Sequence, residues 1–241
     1  MTLGFVKPLV AAWPKVQVAL DLVRLRDAVK IARAAWSAGI NWLEAGTPLI
    51  KSEGMEAVRV LSQTFPRGTV VADMKTLDAG KVEVEMALKA GAQVVSVSGL
   101  AHDRTIRDAV TASRCHGGRL MVDLLMSPSP VRRARELEKL GADIVCVHTG
   151  VDAQKEHTPG PVVKPVITRL TRVLRVPVAV AGGINPDSVE GLIRADVKLL
   201  IVGGWITGSR DAAIASREIM KSVNAALGPS FRRGGSARQS P

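Results

Sequence analysis

"TVVADMKTLDAGKVEVEMALKAGAQVVSVS", residues 69–98, holds two apolar, β-branched runs separated by a stretch of different period. The flanks, TVVADMK (69–75) and QVVSVS (93–98), read as buried strands, whereas AGKVEVEMALKAG (79–91) spaces its apolar residues by three and four, as a helix does. Strand, helix and strand at this length form the unit of a parallel sheet, because parallel neighbours need a crossover connection. The first strand ends in an unusual way. Asp73, Lys75 and Asp78 fall within six positions at the close of an apolar run, where an unpaired charge is costly.

The same unit recurs along the chain. Further strands are expected at 16–22 (VQVALDL), 41–45 (NWLEA), 119–125 (RLMVDLL), 143–148 (DIVCVH), 176–182 (VPVAVAG) and 198–204 (KLLIVGG). Helix-period segments lie between and after them, several ending in Gly or starting at Ser, Asp or Pro, as helix boundaries do. The strands are apolar on both sides of their alternation, as parallel strands covered by helices must be. Eight repeats of strand then helix predict a closed (β/α)8 TIM barrel, with an open doubly wound sheet as the rival architecture. The expected organisation is a lead over 1–15, a barrel over 16–226 and a basic, disordered tail over 227–241.

With 241 residues, 46% of them hydrophobic, the chain suffices for one large core. No run of about 18 apolar residues marks a membrane span, and Pro8 and Pro14 break the N-terminal apolar patch, so no signal peptide is expected. Two cysteines, Cys115 and Cys146, are too few for a disulfide framework and read as packing residues of a cytoplasmic protein. The formal net charge is +11. A phosphorylated small molecule suits such a charge as a partner, whereas the scattered basic residues read as solvated helix faces and, with 3% aromatics and no Tyr, argue against nucleic acid.

A barrel concentrates its chemistry where strands end. The expected strand ends carry Asp21, Glu44, Asp73 with Lys75, Asp123 and His148, followed by Gly182-Gly183 and Gly203-Gly204. Strand alternation puts Asp73 and Lys75 on one face, toward the barrel mouth. A purely structural salt bridge explains that pair alone; with Asp21, Glu44 and His148 at the same rim, a reaction site explains the set. Asp123 stays open between the site and a helix cap. Glu44 and Asp73 offer hard oxygen ligands from adjacent strands, which suits Mg²⁺, or Mn²⁺ in its place. Zinc is not expected, because the cysteines lack ligand spacing and His102, His116 and His157 read as surface residues. The two glycine pairs leave backbone N–H groups free to take a phosphate.

In order and spacing, VQVALDL, EAGTPLIKSEG, ADMKTLDAG, VHTGVDAQ, VAGGI and VGGWITGSRDAA resemble the 3-hexulose-6-phosphate synthase family of the orotidine-monophosphate-decarboxylase superfamily, over about residues 16 to 225. The resemblance implies a Mg²⁺-dependent, reversible aldol addition of formaldehyde to ribulose 5-phosphate through an enediolate. It implies Glu44 and Asp73 as metal ligands, Lys75 as the charge that stabilises the enediolate, and His148 as acid or base. Asp21 would orient substrate hydroxyls or shuttle a proton, and the glycines would bracket the phosphate. Asp78 would reach the partner's site in a homodimer with shared sites. The alternative is a decarboxylase of the superfamily, acting on orotidine 5'-monophosphate or 3-keto-gulonate 6-phosphate. The first of these needs no metal, and the second usually carries an Arg shortly after the strand-six His, where this chain has HTGVD. Trp205 stands where many superfamily members place a phosphate-binding Arg, and KEHTPGPVVKP departs from the usual loop.

Overall fold

The computed structural model describes residues 14–156 and 164–231. Eight parallel strands close a barrel in sequence order: β1 (Lys15–Leu20), β2 (Trp42–Ala45), β3 (Thr69–Thr76), β4 (Val94–Ser98), β5 (Arg119–Asp123), β6 (Ile144–His148), β7 (Val178–Ala181) and β8 (Leu199–Val202). Closure comes from β1 against β8, with Lys15 beside Leu199 and Val18 beside Val202. The open-sheet alternative is thereby removed.

Around the barrel run α1 (Leu25–Ser37), α2 (Thr47–Glu53), α3 (Glu56–Thr64), α4 (Gly80–Lys89), α5 (Asp103–Cys115), α6 (Pro130–Leu140), α7 (Val151–Glu156), α8 (Lys164–Val173), α9 (Pro186–Arg194), α10 (Gly204–Thr207) and α11 (Ala212–Phe231). The short α2, α7 and α10 carry no amphipathic repeat, and the sequence patterning did not reveal them. Most expected strands are trimmed by a residue or two, because Asp21, Gly182 and Gly203 already belong to the loops above the sheet. The last helix runs past 226 to Phe231 and breaks at Gly228 (φ 67°, ψ 179°). Residues 1–13 of the expected lead and 232–241 of the expected tail lie outside the described residues.

The period of two in each strand sorts the core into two layers. Val18, Leu20, Leu43, Val70, Val95 and Leu120 face the helices, while Ala19, Trp42, Val71, Val94, Met121, Ile144 and Leu199 fill the barrel interior. Both sides are apolar for this reason, and each buried Val, Leu or Ile contributes about 1.5–3 kcal/mol. Cys146 joins the interior as expected, but Cys115 is exposed at the end of α5 and is not a packing residue. Among the described residues no helix is long and apolar enough to cross a membrane.

One strand departs from regularity. Asp73 pairs with Ser96 and Thr76 with the next residue, Val97, so Met74 and Lys75 bulge out of the ladder. Lys75 has φ 46°, a left-handed conformation that costs a non-glycine residue about 1 kcal/mol or more.

Candidate active site

Going up the barrel interior, the side chains change from apolar to polar. Gln17, Glu44, Asp73, Ser96 and Asp123 are all buried there, at or shortly before the C-terminal ends of five successive strands. Buried carboxylates need partners, and each has them.

Asp73 collects three. Its Oδ1 accepts from the Ser96 hydroxyl at 2.7 Å, and its Oδ2 accepts from Thr47 Oγ1 at 2.8 Å and from the Lys75 ammonium. Thr47 also reaches the Asp73 carbonyl at 2.8 Å, which ties α2 to the bulge. Lys75 therefore meets Asp73, as expected, but by a different route from simple alternation: the bulge turns its side chain back into the mouth. The ammonium also lies 3.5 Å from Asp123 Oδ2. Burial works against its charge, yet the Asp73 and Asp123 carboxylates outweigh burial and hold the group above its ordinary pKa.

Asp123 resolves the choice left open by the sequence. It caps no helix: its Oδ1 accepts from the Leu125 N–H at 2.8 Å and its Oδ2 pairs with His148 Nδ1 at 2.7 Å. Burial alone would raise its carboxyl, but the hydrogen bond and charge of His148, followed by Lys75, hold it below the usual value. His148 thus presents Nδ1 to a carboxylate, which fixes the ring and leaves Nε2 for the mouth.

Glu44 accepts from the Gln17 amide. Burial first, then the Asp73 and Asp21 carboxylates, push its carboxyl well above the ordinary value against the opposing pull of Lys75 and Gln17. Asp21 sits at the exposed rim; partial desolvation and Asp73 raise its carboxyl as well. Four carboxylates therefore converge around one lysine and one histidine, an excess of negative charge. Among the described residues no group of three or more His, Cys, Asp or Glu side chains is set to hold a metal.

The glycine pairs divide into different roles. Gly182 (φ 95°) has no room for a side chain, since a Cβ there would stand 2.1 Å from the Thr149 carbonyl oxygen. Gly183 (φ 69°) is also left-handed, whereas Gly204 begins α10 with open space beside it. Gly46, overlooked in the sequence, presses on the rim: a Cβ would fall 2.2 Å from Asp21 Oδ1. Asp78 is exposed and, among the described residues, has no hydrogen bond or ion pair to the other site residues. His102 and His116 cap the two ends of α5, and His157 lies outside the described residues.

Ser96 and Thr47 were missed by the sequence reading. Ser96 had a signal, being polar at an inward position of VVSVS; Thr47 had none, because the expected helices did not include α2.

The orotidine 5'-phosphate decarboxylase / HUMPS family model matches residues 14–219. A 3-hexulose-6-phosphate synthase of Staphylococcus epidermidis is 36% identical over 213 residues, covering 87% of this chain and 98% of its own length. A solved 3-hexulose-6-phosphate synthase superposes with a TM-score of 0.82 at 36% identity, covering 87% of this chain and all (100%) of its own. The 3-keto-L-gulonate-6-phosphate decarboxylase of Vibrio cholerae gives 0.78 at 27% identity, covering 88% of this chain and 98% of its own. The shared barrel, the mouth and the extent of these matches lead to one conclusion: the chain belongs to the orotidine 5'-phosphate decarboxylase / HUMPS family.

Proposed function

We propose that the protein catalyses the reversible aldol addition of formaldehyde to ribulose 5-phosphate, giving 3-hexulose 6-phosphate, with Mg²⁺ as cofactor. The observation that carries this reading is the Lys75 ammonium held between Asp73 and Asp123, with His148 on the far side of Asp123, in a chain 36% identical to named synthases. In the forward direction a base removes a proton from C1 of the ribulose 5-phosphate. The resulting enediolate attacks the formaldehyde carbon, and the new alkoxide takes up a proton. His148, oriented by Asp123, is placed for proton transfer, and Lys75 offsets the negative charge that grows on the sugar. Asp21 at the rim orients hydroxyls or relays a proton. The glycine pairs after β7 and β8 receive the phosphate through backbone N–H groups.

The donor set fits a magnesium ion. Glu44 and Asp73 are hard oxygen donors, and a pair of carboxylates with substrate and water completes such a site. The raised carboxyls of Glu44 and Asp21 point the same way, since crowded carboxylates call for a cation. When bound, the ion supplies Lewis-acid polarisation of the sugar's oxygens. Formaldehyde should disappear only when ribulose 5-phosphate and Mg²⁺ are both present, should persist after chelation, and should be consumed again when Mg²⁺ or Mn²⁺ is restored. Loss that ignores the chelator would remove the metal from the reading. Carbon dioxide released from 3-keto-gulonate 6-phosphate, without aldol activity, would shift the assignment to the decarboxylase branch.

Asp123→Asn should lower kcat about 10²-fold with little change in KM, because His148 loses its orienting carboxylate while the phosphate grip remains. Steady-state kinetics at several pH values check this.

A homodimer with shared sites completes the proposal. Asp78 is exposed beside Leu77, Val82 and Met86, large apolar side chains that are themselves exposed and suit a second copy. If Asp78 serves the partner's site, mixing inactive Lys75→Ala and Asp78→Ala chains restores about a quarter of wild-type activity by random assortment. Hybrids that stay inactive while sedimenting as dimers would refute sharing.

A further inference from the structure

The function proposed above leaves one buried polar side chain without a task. Gln17 on β1 lies level with Trp42 and Ile201, inside the barrel, with none (0%) of its surface exposed. Its neighbours in that interior are apolar or aromatic, and Leu or Met would pack there without needing any hydrogen bond. The Gln17 Nε2 donates to Glu44 Oε2, while its Oε1 has no partner; among the described residues it is the one buried side-chain polar atom in that condition. A buried acceptor without a donor destabilises a fold. The amide is therefore kept for its N–H, and the N–H serves Glu44 alone.

We infer that Gln17 is a positioning residue: its amide holds one oxygen of Glu44 from beneath and presents the carboxylate to a divalent cation at the mouth. The inference rests on the reading of Glu44 as a metal ligand. An amide suits the task better than a hydroxyl or a carboxyl. It cannot compete for the cation as a second carboxylate would, and with Glu44 ionised only the N–H side can face it, since turning the amide over sets acceptor against acceptor. Partners behind a ligand typically change metal affinity by about 10–100-fold when removed.

Gln17→Met tests this, because it fills similar volume and deletes both the donor and the partnerless acceptor. The readouts are Mn²⁺ uptake by the substrate-free protein, followed by electron paramagnetic resonance of free Mn²⁺, thermal melting without metal, and steady-state kinetics. Mn²⁺ should bind about 10–100-fold more weakly, kcat should fall with KM for ribulose 5-phosphate unchanged, and the melting temperature should hold. Gln17→Leu should behave alike and stands in if Gln17→Met does not fold. Combined with Glu44→Gln, either change should add nothing to the loss from Glu44→Gln alone, since both act on one carboxylate. Wild-type Mn²⁺ affinity in Gln17→Met, or full additivity in the double variant, overturns the inference while leaving the proposed function standing. A wild-type protein that takes up no Mn²⁺ overturns the reading of Glu44 as a ligand, and this inference with it.

Discussion

Lys75→Ala is expected to lower kcat for formaldehyde consumption by about 10²–10³-fold, the usual effect of deleting one preorganised charge aimed at a developing anion. The reason lies in what surrounds the ammonium. Asp73 and Asp123 flank it, with side chains only 7% and 6% exposed, and Glu44 adds to the same field. Removing the lysine leaves the enediolate facing the Asp73, Asp123 and Glu44 carboxylates without the ammonium between them. Stability should fall too, because deleting one partner strands the others, by about 1–3 kcal/mol once the partial exposure of Lys75 is allowed for. Lys75→Arg should not restore activity: the guanidinium fork is broader than an ammonium and has no second geometry at a backbone already held at φ 46°. Kinetics paired with melting curves separate the two losses. A Lys75→Ala protein retaining about a tenth or more of wild-type kcat would contradict the charge-stabilising role.

Gly182→Ala should be the most damaging change at the phosphate end. The φ of 95° alone costs a side chain about 1–2 kcal/mol. The new Cβ would also meet the Thr149 carbonyl oxygen at 2.1 Å, and that oxygen cannot simply retreat: Thr149 donates its N–H to Ala181 at 3.1 Å and its carbonyl accepts from Gln154 at 2.7 Å. Together the strain and the overlap should remove about 2–4 kcal/mol, or roughly 5–15 °C of melting temperature for a domain of this size. Activity should drop as well, since Thr149 follows His148 and its displacement carries the imidazole along. Gly204→Ala provides the contrast. With nothing within 4 Å, it should melt like the wild type and raise only the KM for the sugar phosphate. Equal melting temperatures for the two variants would mean that the β6 and β7 loops do not pack as described.

The barrel was legible in the sequence because each strand is apolar on both faces and each long helix repeats by three and four. These patterns survive any error of a residue or two at the ends. The site was legible where it broke such a pattern: Asp21, Glu44, Asp73 and His148 are polar at the close of apolar runs, and they meet at one mouth. Pairing Lys75 with Asp73 was expected from strict alternation, which the chain does not follow there; the bulge between Asp73 and Thr76 produces the same neighbours by different geometry. Asp123 could not be placed from sequence, since a cap and a site partner look alike in one dimension. Gly46, Thr47 and Ser96 act through close approach and hydroxyl hydrogen bonds, and small residues leave little mark on periodicity. Asp78 follows β3 in an exposed loop, and its place in the site rests on the proposed dimer alone.

The seam where Lys15–Val18 meets Leu199–Val202 has a consequence for biosynthesis. A ribosome delivers β1 first and β8 nearly last, so the nascent chain carries an open parallel sheet with two bare edges for most of its translation. Such edges invite pairing with other nascent chains, which makes the interval before the seam shuts the period of greatest aggregation risk. By the same timing, Glu44 and Lys75 share no enclosed mouth until the final strand has arrived.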